Sequence, residues 1–250
     1  MLPEGLAAAL AVPGIVWVLL AAGAAGLAYG FAGFGAALIF MPVASARVGP
    51  VEAVTLEACM GLASVVTVLP GALRLADKRD TGFLLIASLI GLPVGVWLLK
   101  VVEPEVMRWG ICAVAALTLA LLVAGWRRKT ADSTGALLGV GAASGALGGA
   151  TGLTGPVMIL FKLSGQGSAA EVRASTISFL TLLSMLLLPM LWLQGLIRVE
   201  ALWLAVLVLP VYTVGALGGQ AMFRPEMERL YRRVAYGLIG LAVAMSLPLW

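Results

Sequence analysis

GLAYGFAGFGAA, residues 26–37, and GALGGATGLTGP, residues 145–156, are two glycine-rich stretches set inside long runs without charge. Each leads into an apolar run, 34–46 and 153–163, that is short. At about 1.5 Å per residue these runs reach roughly 20 Å and 17 Å. A helix needs about 20 apolar residues to cross the hydrocarbon core of a bilayer. Backbone that breaks inside a membrane is tolerated where it is buried in protein or lines a cavity. Both stretches therefore read as helices interrupted within a membrane.

The rest of the chain agrees. Hydrophobic residues make up 62% of its 250 residues and charged ones 11%, where soluble domains run near half and a quarter. Residues 12–40 and 134–161 carry no charge. The fold class expected is all-α, a polytopic integral membrane protein of the cell inner (plasma) membrane. Its apolar segments fall at 7–30, 34–46, 51–73, 82–100, 107–126, 135–150, 153–163, 174–194, 201–222 and 234–250. The 31 glycines suit close helix packing in lipid. The net charge of +4 comes from short loops, where it orients helices rather than binding nucleic acid. Cys59 and Cys112 fall in apolar segments and read as buried thiols, with no disulfide. There is no histidine, which excludes an imidazole relay and the usual zinc motifs. No metal and no cofactor is expected. The opening MLPEGL lacks a basic leader region and reads as the start of a mature chain.

The breaks recur at one spacing. Gly30 and Gly149, Gly33 and Gly152, Glu52 and Glu171, and Pro70 and Pro189 all differ by 119. Pro104-Glu105 matches Pro225-Glu226 at 121, and Pro93 matches Pro210 at 117. Six matches in order imply a duplicated unit of about five segments. Residues 1–130 form the first repeat and 131–250 the second, integrated in one transmembrane domain. If each short run crosses on its own, twelve basic residues share one side: Arg74, Lys78, Arg79, Arg127, Arg128, Lys129, Lys162, Arg173, Arg224, Arg229, Arg232 and Arg233. Arg47, Lys100, Arg108 and Arg198 lie opposite. If each interrupted helix is one crossing, the division becomes 6 against 10. Basic loops stay cytoplasmic, so the first arrangement is favoured. It makes the repeats inverted and puts both termini outside.

Candidate site residues follow from the breaks. A half-helix N-terminus offers unpaired N–H groups and favours an anion. The groups expected there are Gly33, Phe34, Gly35 and Ala36 in one half, and Gly152, Leu153, Thr154 and Gly155 in the other. Thr151 and Thr154 add hydroxyls, and Pro156 suits a first helical turn. Set against this, Gly26-x-x-x-Gly30 and Gly145-x-x-x-Gly149 have the spacing of plain packing glycines. Glu57 sits inside an apolar segment with no basic neighbour in sequence. A carboxyl group at such a position is a functional candidate, here for proton coupling. Arg173, with Ser175 and Thr176 after it, either draws an anion inward or marks topology. Lys162 reads as a topology signal, and Glu52 and Glu171 as helix caps or snorkelling side chains.

GFAGFGAALIFMPVASARVGPVEAVTLE (30–57) resembles the first repeat of the sulfite exporter TauE/SafE family, and GALGGATGLTGPVMILFKLSGQGSAAEVRAST (145–176) resembles its second. The likeness extends over essentially the whole chain. It departs from the family pattern at Ala36 and Ala37, at Phe161 opposite Pro42, and at Leu56. The resemblance implies a secondary transporter, not an enzyme. Its substrate would be sulfite or an organosulfonate such as sulfoacetate, exported in step with the proton gradient. Its partners would be that small anion and membrane lipid, with a homodimer the oligomer considered and no nucleic acid. Two other functions compete: a non-transporting scaffold or assembly subunit, and an uptake carrier or channel for another small anion. A membrane enzyme is disfavoured, because the chain has no His, no Asp in a span and no long loop.

Overall fold

The computed structural model describes residues 4–125, 133–162, 169–222 and 228–247, with the side chains of residues 169 and 228–232 excepted. The described residues form α1 (Glu4–Leu10), α2 (Ile15–Ala32), α3 (Ala36–Val48), α4 (Pro50–Thr67), α5 (Leu69–Ala72) and α6 (Lys78–Val101) in the first half. That half ends with α7 (Pro104–Val123), and the second gives α8 (Thr134–Thr151), α9 (Gly155–Lys162), α10 (Ala169–Leu193), α11 (Val199–Met222) and α12 (Glu228–Ser246). Arg127, Arg128, Lys129, Arg224 and the Pro225-Glu226 pair lie outside the described residues.

Local chemistry sets most boundaries. Gly14, at φ 80°, splits the expected segment 7–30 into α1 and α2. Pro70 leaves a short α5 after α4, where one segment 51–73 was expected. Its counterpart Pro189 is carried inside the continuous α10. The Asp77 carboxylate accepts from the Arg79 and Asp80 N–H groups at 2.9 and 3.0 Å, so α6 starts earlier than composition implied. Pro50 and Pro104 open α4 and α7, where a missing N–H costs nothing. Arg173 and Arg233 fall within α10 and α12 rather than before them, where segments 174–194 and 234–250 left them, and Lys162 ends α9.

Glycine brings two helix pairs into backbone contact. On α2, a Cβ at Gly26 or Gly30 would strike the Tyr212 or Ala216 carbonyl of α11. From α11, Gly215 and Gly219 meet the carbonyls of Gly23 and Leu27. The contacts climb both helices together, so α2 and α11 run parallel. Gly91 and Gly95 of α6 meet the Ala142 and Ala146 carbonyls of α8 in the same way, and Gly145 returns the contact on Ser88. Each half thus lends one helix to a pair completed by the other.

The broken helices turn back on themselves. Beyond α2 the chain reverses through residues 33–35, and α3 brings Arg47 beside Gly14, where α2 began; a Cβ there would lie 3.1 Å from Arg47 Cδ. Similarly, α9 returns Lys162 to Asp80 on α6, near the point where Gly141 of α8 meets Leu84. These two helical hairpins set out from opposite ends of the bundle. The Lys162–Asp80 pair, at 2.7 Å, marks one end. The other carries Arg198 paired with Glu52 at 3.1 Å, and Lys100 donating to the Gln194 carbonyl at 3.3 Å.

Among the described residues, six helices are long and apolar enough to cross a membrane: α2, α4, α6, α7, α10 and α11. Large apolar side chains point outward, with Val66 75%, Ile90 72% and Val214 72% exposed. Water would penalise such a surface heavily; hydrocarbon does not. Hydroxyls such as those of Thr55, Ser64, Ser88 and Thr181 are buried instead.

Candidate functional site

At both breaks the last helical turn closes on a left-handed glycine. The Gly33 N–H donates to the Tyr29 carbonyl at 2.8 Å with φ 78°, and the Gly152 N–H to the Gly148 carbonyl at 2.8 Å with φ 70°. An L side chain strongly disfavours that conformation. A buried apolar residue follows each glycine, Phe34 or Leu153. Then a new helix starts: α3 from Gly35, itself at φ 92° and without a side-chain cap, and α9 at Gly155. The first N–H groups of α3 consequently have no partner within their own helix.

Both new helix starts line one cavity of about 30 Å³ in the bundle interior. Phe34, Gly35 and Ala36 contribute from the first break, Thr154 and Gly155 from the second, and Glu57 from α4. The two breaks, 118 to 121 positions apart in the chain, are thereby brought together at one place. The volume holds about two waters, at the 10–15 Å³ each requires. A sulfur oxyanion would require the walls to part.

Glu57 is 7% exposed. Its Oε1 accepts from the Ser184 hydroxyl at 3.5 Å, while Oε2 is buried without a hydrogen-bond partner. Among the described residues, no lysine or arginine lines the cavity. Thr154 is fully enclosed, and its methyl group lies against Gly148, where a Cβ would meet it at 2.6 Å.

The other candidates lie off the cavity wall. Gly33 and Gly152 form the turns behind it. The Thr151 hydroxyl donates to the Leu147 carbonyl at 2.7 Å and accepts from the Leu153 N–H at 3.3 Å, which stitches the second break. Arg173 reaches from α10 to the end of α2, where its Nε donates to the Phe31 carbonyl at 3.1 Å and its Nη2 to the Gly30 carbonyl. A cation placed on carbonyls at a helix C-terminus stabilises that end. The Ser175 hydroxyl accepts from the Asp77 N–H at 3.0 Å, and the Thr176 hydroxyl donates to the Val172 carbonyl at 2.7 Å. Gly26, Gly30, Gly145 and Gly149 are packing glycines, as their spacing allowed; the conformational role falls on Gly33, Gly35 and Gly152.

Five hydroxyl-bearing residues on the wall escaped the sequence reading: Tyr29, Ser64, Thr181, Ser184 and Tyr212. Tyr29 shares a hydrogen bond with Thr181 at 2.9 Å and donates to the Ile177 carbonyl at 3.2 Å. Tyr212 shares one with Ser64 at 2.8 Å. The available signal was their position inside otherwise apolar helices, where a hydroxyl needs a partner.

Outward apolar faces on long helices, and two broken helices meeting at one interior cavity, are the features of a multi-pass membrane protein. The chain belongs to the sulfite exporter TauE/SafE family, whose model matches residues 18–247. Members of this family carry sulfur anions across membranes and are not enzymes. No curated protein and no solved structure matches the chain.

Proposed function

We propose that the protein exports a small sulfur-containing anion, sulfite or an organosulfonate such as sulfoacetate, across the inner membrane, and that Glu57 links the movement to protons. The observation that carries this reading is the meeting of both helix starts and Glu57 in one cavity. A sulfonate or sulfite oxygen is a strong acceptor with delocalised charge. It needs donors converging from several directions, yet a buried full positive charge would hold it too tightly to release. Backbone N–H groups at Gly35, Ala36 and Gly155, with the Thr154 hydroxyl, supply donors without a fixed charge. Gly33, Thr151, Gly152, Arg173, Ser175 and Thr176 then act from behind the wall. They hold the breaks and the start of α10 in place.

We also read the chain as two inverted repeats, residues 1–130 and 131–250, in one domain. In support, α2 pairs with α11 as α8 pairs with α6, and the two hairpins begin at opposite ends. Lys162 lies beside Asp80, on the same end as Lys78 and Arg79, as the 12-to-4 division of basic residues requires.

Uptake into proteoliposomes of radiolabelled sulfite, sulfoacetate, sulfolactate and taurine tests the function. Transport of sulfite or a sulfonate, abolished by Glu57→Gln under a pH gradient, is expected. If none of the four is carried or bound, the proposed substrate class is wrong.

A further inference from the structure

The wall of the cavity constrains how proton and anion can be coupled. Among the described residues that line it, Glu57 alone carries a formal charge. Its Oε2 is buried and has no hydrogen-bond partner, and its Oε1 has only the distant Ser184 hydroxyl. The tyrosine hydroxyls nearby are already engaged, Tyr29 with Thr181 and the Ile177 carbonyl, Tyr212 with Ser64. Once the walls part to admit an anion, it and an ionised Glu57 would seek the same few donors and repel each other. A neutral carboxyl group reverses this, because its O–H adds one donor to the cavity wall.

We propose that anion and proton occupy the cavity together, with neutral Glu57 donating a hydrogen bond to the anion, so that both cross the membrane in the same direction. This rests on the cavity being the anion site, and it adds the sign of the coupling. Exit of the anion then carries a proton outward, and substrate accumulated inside supplies the drive. The opposite arrangement, proton entry in exchange for anion exit, would require Glu57 to be ionised while the anion is bound.

The groups facing Glu57 do not supply another explanation for a pH response. Around it, α2 presents Tyr29, α11 Tyr212 and α4 itself Cys59. The wall residues of α3, α9 and α10 carry no ionisable side chain. Arg173 of α10 is turned to the α2 carbonyls. Tyrosine and cysteine ordinarily lose their protons near pH 10 and pH 8.5, so a response at lower pH belongs to Glu57 rather than to these groups. Its sign follows from linkage. If binding requires the proton, affinity is highest at acid pH and falls about tenfold per pH unit once the free protein has lost that proton.

Sulfoacetate is the probe, because its sulfonate stays ionised throughout this range. Proteoliposomes loaded with a pH-sensitive dye are given an inward sulfoacetate gradient. The expected result is acidification of the lumen as sulfoacetate enters. Titration calorimetry in buffers of different ionisation enthalpy should show about one proton taken up per anion bound at the alkaline end. Glu57→Gln keeps a donor at the same place, so it should bind with no pH dependence and no proton uptake. Glu57→Asp should retain proton uptake, which separates titration from folding. Entry of sulfoacetate with an alkaline or unchanged lumen overturns the proposal alone. Failure of wild-type protein to bind or carry sulfoacetate at any pH overturns the reading of the cavity, and the proposal with it. Loss of binding in Glu57→Gln, with the pH dependence of Glu57→Asp also gone, overturns the donor role.

Discussion

Replacing Gly33 and Gly152 by alanine separates two costs that the breaks combine. Both positions are left-handed, φ 78° and φ 70°, and an L residue there loses about 1–2 kcal/mol. The surroundings differ. At Gly33 the new Cβ would lie 2.7 Å from Arg173 Cγ and 3.1 Å from Ile177 Cγ1. The Arg173 stem cannot yield freely, because its guanidinium is fixed to the Gly30 and Phe31 carbonyls. Drawing it back costs about 1.5–3 kcal/mol for a charged hydrogen bond lost. At Gly152 the Cβ would lie 2.8 Å from Met41 Sδ. Methionine is unbranched and adapts, at a cost under about 1 kcal/mol. Gly33→Ala should therefore destabilise by about 3–5 kcal/mol and Gly152→Ala by about 1–3 kcal/mol. The gap of about 2 kcal/mol is roughly 30-fold in the folding equilibrium. Reversible unfolding by sodium dodecyl sulfate in mixed micelles measures both. Equal losses, or a larger loss in Gly152→Ala, would show that Arg173 does not hold the first break.

Thr154→Val is nearly isosteric and removes one hydroxyl from the cavity. It should weaken sulfonate binding by about 1.5–3 kcal/mol in calorimetric titration, the scale of a hydrogen bond to a charged group, and unchanged affinity would take Thr154 out of the site. The two ion pairs should differ in a double-mutant cycle. Lys162 and Asp80 are 9% and 18% exposed, and breaking that pair should cost about 3 kcal/mol. Arg198 is 70% exposed, so its pair with Glu52 should contribute under about 1 kcal/mol; equal values would mean burial does not set their strength. Finally, single cysteines at Lys78 and Arg233 in a background lacking Cys59 and Cys112 should label from the same membrane face, and labelling from opposite faces would refute the inverted arrangement.

Features that depend on a residue's own backbone were legible in the sequence. Gly33 and Gly152 mark breaks because a left-handed turn selects glycine wherever the chain is placed. The short run after each break could turn back or continue the same crossing, and both α3 and α9 turn back. Glu57 stood out because an isolated carboxyl group in an apolar helix is costly in any fold. Family membership was legible too, since the glycine and proline markers recur along the whole chain. The partners of these residues were not legible. The spacing of Gly26 and Gly30 announced close packing, but only the fold selected α11 as the helix that fills the groove. Arg173 was compatible with a ligand or with topology in the sequence; the fold committed its guanidinium to the end of α2. Tyr29 and Tyr212 became cavity residues only when α10 and α4 brought Thr181 and Ser64 to their hydroxyls. The division has a physical cause: backbone strain and the cost of a buried charge belong to the residue itself, whereas a hydrogen bond between residues 148 positions apart exists only after the helices have packed.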